Sequence, residues 1–153
     1  MKLSPLQLAY YRVTKCAMTS LPNYEPGDDE SLAILKQMRA SLEIQPAPDD
    51  DSEHTSAWLV GLCLDLTPES DVMCPYEFRI ELFGNFHCSK DLPPKLDAER
   101  LVGINGTSIL YGIARELLLG LTEKSMWGGL TLPTMSFTDY QEMLVSSTEN
   151  KIL

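Results

Sequence analysis

Two runs in the middle of the chain alternate apolar and polar side chains with a period of two, and this constrains the fold more than any other feature. In AWLVGLCLDL (57–66), Trp58, Val60, Leu62, Leu64 and Leu66 fall on one face of an extended strand. In YEFRIELF (76–83), Tyr76, Phe78, Ile80 and Leu82 alternate with Glu77, Arg79 and Glu81. The connection TPESDVMCP is turn chemistry, so the runs are predicted to pair as an antiparallel hairpin with one face buried and one in water. Past Gly84 the second strand is expected to continue irregularly to Cys88, through a bulge.

The rest of the chain must supply the cover for that face. In SILYGIARELLLGL (108–121), Ile109, Leu110, Ile113, Ala114, Leu117, Leu118 and Leu121 recur at the offsets of one helical face, with Ser108 placed to cap it. Tyr111 and Leu119 lie off that stripe, which gives the helix a second apolar contact. Upstream, Asp97 is placed to cap a short helical stretch that ends in an Asn105-Gly106 turn. Residues 6–20 read as a first strand. Residues 22–56 are turn-rich and acidic, with a helical turn running into an extended arm at SLAILKQMRASLEI. After Lys124 the apolar segment SMWGGLTLPTMSF is expected to be a loop, sharply turned at its paired glycines and kept irregular by Pro133. A last helix is expected over 138–150, from the capping-box spacing of Thr138 and Gln141. The whole, 1–153, reads as one α+β domain.

Charge and motif content narrow the function. A formal net charge of −10 argues against a phosphate backbone as partner, because such binding rests on Lys and Arg; no nucleic acid is expected. No apolar run reaches the roughly 20 residues that span a bilayer, and Met1-Lys2-Leu3-Ser4-Pro5 lacks the apolar core of a signal peptide, so a cytoplasmic protein without membrane insertion is expected. Cys16, Cys63, Cys74 and Cys88 are widely spaced and read as reduced thiols. There is no P-loop or dinucleotide glycine pattern. His87 and Cys88 are adjacent, but neighbouring strand residues point to opposite faces, and a structural histidine is the better reading. We expect no catalytic residues, metal or cofactor, and hence a binding protein rather than an enzyme.

Binding is where the surplus apolar residues point, because exposed apolar surface on a soluble chain marks an oligomer interface or a groove. The segment NGTSILYGIARELLLGLTEKSMWGGLTLPTMSF (105–137) resembles the signature region of the SecB protein-export chaperones: an Ile-Leu, aromatic, Ala-Arg-Glu helix, a small apolar loop, then Leu-x-Leu, Pro and Phe. YRVTKCAMTSLPN, the hairpin strands and FGNF (83–86) extend the likeness more loosely. The resemblance implies a four-stranded antiparallel sheet with two main helices on one face, in a homotetramer built as a dimer of dimers. It implies an ATP-independent holdase for unfolded or precursor polypeptides, with Leu42, Ile44, Met126, Trp127, Leu130 and Leu132 lining the client groove and Tyr111, Arg115 and Leu119 toward a partner protomer. SecA is the implied export partner, although the family's acidic docking positions correspond here to Cys16, Ser20 and Arg79. Two alternatives stand beside general export: a solitary chaperone for one client such as an antitoxin, and a non-catalytic scaffold subunit. A thiol or zinc enzyme using His87 and Cys88 is a rival from a different class.

Overall fold

The two alternating runs form the centre of a four-stranded sheet. The computed structural model describes residues 2–27, 30–48 and 52–145. Strand β1 is Leu6–Ser20, helix α1 Glu30–Gln37, and strands β2, β3 and β4 are Met38–Pro46, Thr55–Leu66 and Tyr76–Ser89. The strand order is β1-β4-β3-β2 with every neighbour antiparallel. The expected hairpin is β3–β4, and its register sets Leu62 opposite Leu82 and Leu64 opposite Ile80, so the apolar sides of both strands share a face. The expected arm is not free: it is β2, paired with β3 from Met38↔Leu66 to Pro46↔Trp58.

The β3–β4 ladder runs past Gly84 without a shift; the β1–β4 ladder does shift there, opposite Asn85 and Phe86, but the extra residue is in β1, which corrects the strand on which the bulge was expected. Gly84 is needed there for room, since a Cβ would lie 2.8 Å from the Phe86 ring and 3.0 Å from a Leu110 methyl. The irregularities fall in β1 instead, between Leu8 and Tyr10 and between Val13 and Lys15.

Asp97 caps as expected, its carboxylate accepting the Arg100 N–H at 3.0 Å. From there helix α2 (Ala98–Leu101), a π turn (Val102–Gly106) and helix α3 (Thr107–Thr122) follow without a break. The expected Asn105-Gly106 turn does not form: Gly106 is helical at φ −61°, ψ −46°, and Ser108 bonds back to the Ile104 carbonyl at 2.7 Å instead of capping. Packing overrides the local turn signal. Gly103 and Gly106 are buried, and the Tyr140 ring occupies the space where a Gly103 Cβ would be.

α3 turns Leu110, Tyr111, Ala114 and Leu118 inward, against a core that includes Val60, Leu62, Ile80, Leu82 and Phe86. Each fully buried Leu, Val, Ile or Phe side chain in this contact contributes about 1.5–3 kcal/mol. The broad stripe expected to face the sheet is therefore split, because Ile109 and Leu121 stay exposed and Ile113 and Leu117 half-buried. Residues 123–139 cross the same side of the sheet without helix or strand, turning at Gly128 (φ +80°) and burying Leu130, Leu132 and Phe137. The helix expected at 138–150 is a single 3-10 turn, Tyr140–Met143, after which Leu144 is extended; positions 146–150 lie outside the described residues. Leu144 pairs with Leu42 of β2, and that bridge takes the chain out of the helical path.

Candidate functional site

The covering layer leaves one flank of the sheet bare. Register places Tyr11 opposite Gly84, Val13 opposite Leu82 and Cys16 opposite Ile80, on the side of the sheet that carries α3, yet none of the described elements lies over them. Between these β1 residues and α3 runs a groove of about 730 Å³. Tyr11 and Cys16 form one wall; Ile109, Ile113, Leu117 and Leu121 form the other, with Gly112 and Gly120 between them. At 100° per residue the groove residues of α3 share one broad face, which adjoins and at Leu110 overlaps the face of Leu110, Ala114 and Leu118. Tyr11 is 42% exposed and Leu121 44%, so the wall is open to solvent. Glu116 is the lone charge among the lining residues. A Cβ at Gly112 or Gly120 would meet nothing within 4 Å, so this helix face is flat and free in the protomer. Along its other side, β1 has no strand partner among the described residues.

On the opposite flank the cover is an extended stretch of the chain's own backbone, gripped by side chains. Tyr111 donates its hydroxyl to the Pro133 carbonyl at 2.7 Å, and Arg115 donates Nε–H to the Leu132 carbonyl at 2.8 Å. The Thr122 hydroxyl accepts the Leu130 N–H at 2.7 Å. Tyr76 donates to the Gly128 carbonyl at 2.6 Å and accepts the Trp127 N–H at 3.1 Å. The Trp127 indole donates to the Leu21 carbonyl at 2.9 Å and meets the Tyr24 ring edge-on at 5.3 Å. All these bonds read backbone, with Leu130, Leu132 and Phe137 filling apolar sockets beneath. Burial pushes the Tyr111 phenol up to about 12, Arg115 pulling the other way.

The expected groove residues are distributed differently from an open groove. Leu42, Leu130 and Leu132 are core, Ile44 and Trp127 are half-buried, and Met126 alone stands open at 64% exposure. Tyr111, Arg115 and Leu119, expected to face a partner, meet residues 129–133 of their own chain within the protomer; Leu119 lies over Gly129. The open face of α3 belongs to Ile109, Ile113, Leu117 and Leu121, whose spacing was visible, together with the two glycines eight residues apart on the same side.

The outer face of the sheet carries Arg79 between Asp65 (2.8 Å) and Glu81 (2.6 Å), which raise the guanidinium's already high pKa. There the Asn85 carbonyl oxygen is buried with no hydrogen-bond partner. Cys88 is buried, and desolvation raises its thiol, as it does those of Cys63 and Cys74; this is the opposite of what a thiolate nucleophile needs. Among the described residues no three His, Cys, Asp or Glu side chains gather as a metal site, and no helix is long and apolar enough to cross a membrane.

No family model and no curated protein matches the chain. Among solved structures, a protein of unknown function from Streptococcus agalactiae is 15% identical, over 84% of this chain and 96% of its own, with a TM-score of 0.52. The Mycobacterium tuberculosis SecB-like chaperone Rv1957, solved with a ChAD peptide from the Rv1956 HigA1 antitoxin, is 21% identical over 86% of this chain and 91% of its own, with a TM-score of 0.48. At 15% identity the likeness to the Streptococcus agalactiae protein is one of fold alone.

Proposed function

We propose that this chain is a SecB-type chaperone that binds non-native polypeptides without ATP and holds them for export from the cytoplasm. The observation that carries the reading is the backbone-reading cradle over the sheet. Tyr76, Tyr111, Arg115 and Thr122 hold an extended, irregular segment by its carbonyls and N–H groups, while its leucines fill apolar sockets. That is the chemistry a binder needs if it is to ignore sequence, because every polypeptide offers the same backbone and most offer apolar side chains. Burial gains roughly 25 cal/mol per Å², and the entropy of ordering a client cancels much of it, so many weak contacts give a hold that releases.

The groove between β1 and α3 supports the second half of the reading, a homo-oligomer. A flat apolar helix face beside an unpaired edge strand suits a second copy of the same surface, and we place the contact within a dimer of dimers there rather than at Tyr111, Arg115 and Leu119. One observation favours a dedicated client over general export through SecA. Where the family has acidic docking residues, Arg79 is neutralised by Asp65 and Glu81, and Cys16 lines the groove.

The test is light scattering from several unrelated, chemically unfolded proteins diluted with and without the chain, in the absence of ATP. Suppression of every client near stoichiometric ratios is the expected result. Suppression of none removes the general holdase and turns attention to a single client.

A further inference from the structure

β2 is an edge strand with β3 on one side and its own chain on the other. Val145 donates its N–H to the Leu42 carbonyl at 3.0 Å, and Leu42 and Leu144 form a parallel bridge. In an antiparallel ladder the N–H and C=O of one residue point to the same side and alternate along the strand. The bond at Leu42 therefore fixes the direction: Ala40, Leu42 and Ile44 turn their peptide groups to the free edge, while Arg39, Ser41, Glu43 and Gln45 serve β3. The same three residues pack their side chains in or against the core. A chain laid along this edge thus finds backbone partners and an apolar floor at the same three positions.

The present occupant is held lightly. Leu144 is 40% exposed and the Val145 N–H bonds the Leu42 carbonyl, while Met143 just before them packs against the core. The firm anchor lies upstream, where the buried Tyr140 ring packs on Gly103. Leu144 and Val145 can therefore leave the edge while Tyr140 and Met143 stay seated.

We propose that Leu144–Val145 is a built-in competitor for the β2 edge. An extended apolar segment of another polypeptide adds to β2 in the same parallel direction and displaces it. The proposal rests on the polypeptide-binding reading above and names the edge, the direction and the device that limits occupancy. Every client must exceed the hold of the chain's own segment, which excludes folded proteins with no free strand.

The probe is a short fluorescent peptide of alternating leucine and threonine with lysine at both ends, followed by anisotropy with the full chain. Val145→Pro removes the competing donor and keeps the extended backbone; it is expected to tighten peptide binding about fivefold, the ratio that one ordinary backbone hydrogen bond gives. Peptides N-methylated on alternate residues separate strand addition from apolar sticking: one of the two methylation sets blocks binding and the other does not. A photoreactive group at the peptide N-terminus is expected to label residues 38–40, and one at the C-terminus residues 44–46. Unchanged affinity in Val145→Pro, equal binding of both methylated peptides, or the reversed labelling pattern overturns the proposal. If the peptide binds neither protein while aggregation is still suppressed, the edge site falls and the chaperone reading stands. If the peptide binds with the stated pattern while no client is protected, the edge site stands and the chaperone reading falls.

Discussion

Replacing Tyr111 by Phe separates two contributions of one buried hydroxyl, and the two have opposite pH dependence. At neutral pH the variant loses the bond to the Pro133 carbonyl, so it should be less stable than wild type by about 1 kcal/mol. The folded-state phenol is pushed from near 10 up to about 12, chiefly by burial, so the folded protein holds that proton more tightly than the unfolded chain does. The stability linked to it is fully present below pH 10 and is lost as the pH rises toward 12, by about 3 kcal/mol when the loss is complete. Phe has no proton to lose, and the other tyrosines titrate alike in both proteins. The two stability curves should therefore cross between about pH 10 and pH 11, with the variant the more stable above the crossing. Urea unfolding followed by the fluorescence of Trp58 and Trp127 from pH 8 upward measures both curves. A difference that stays constant with pH would refute the buried-donor assignment, and a fall in oligomer mass at pH 8 would return Tyr111 to the interface.

Gly103→Ala should cost about 1 kcal/mol net, since the helix-propensity gain is outweighed by a Cβ 2.5 Å from the Tyr140 ring; a lower Tm and faster amide exchange at Val145 would show it. Gly112→Ala and Gly120→Ala meet open space in the protomer, so each should leave the fold as stable or up to about 1 kcal/mol more so, yet lower the mass seen by size-exclusion light scattering. An unchanged mass in the double variant would remove this face from the assembly. Thr107→Val replaces a fully buried hydroxyl that has no hydrogen-bond partner with a methyl of the same shape, and should raise stability by about 1 kcal/mol in urea titration.

What the sequence made legible was whatever depends on a period or a cap. Alternation at Trp58–Leu66 and Tyr76–Leu82 fixed both strands and their shared face, and Asp97 announced the start of α2. What it hid depends on which surfaces meet. Asn105-Gly106 carries a strong turn signal, but Phe86 and Val60 press within 3.4–3.6 Å of where a Gly106 Cβ would stand, and tertiary packing keeps the helix running. The stripe on α3 was wide enough to serve two surfaces, and nothing in it says that the sheet takes Leu110, Ala114 and Leu118 while Ile109 and Leu121 stay outside. Leu42, Leu130 and Leu132 are apolar in any reading; only the path of residues 123–139 makes them core rather than groove. Tyr111 and Leu119 lie off the stripe and mark the helix's second contact; within the protomer that contact is with residues 129–133 of the same chain, whose path no periodicity reveals.

The two flanks of the sheet differ in what they can hold, and for physical reasons. Beside β1 the groove is flat and apolar, with the helix glycines in one wall, and none of the described residues covers it; a surface of that kind is quieted by a large and lasting partner. Beside β2 the cover is already in place but thin past Met143, the Val145 N–H and a half-exposed leucine, so an added strand can compete for the edge. The two edges are three strand spacings apart, about 14 Å, beyond the range at which changes in separate neighbourhoods usually couple. Assembly on one edge and exchange of extended segments on the other can therefore proceed independently on a single small sheet, and an oligomer closed through β1 would keep every β2 edge open.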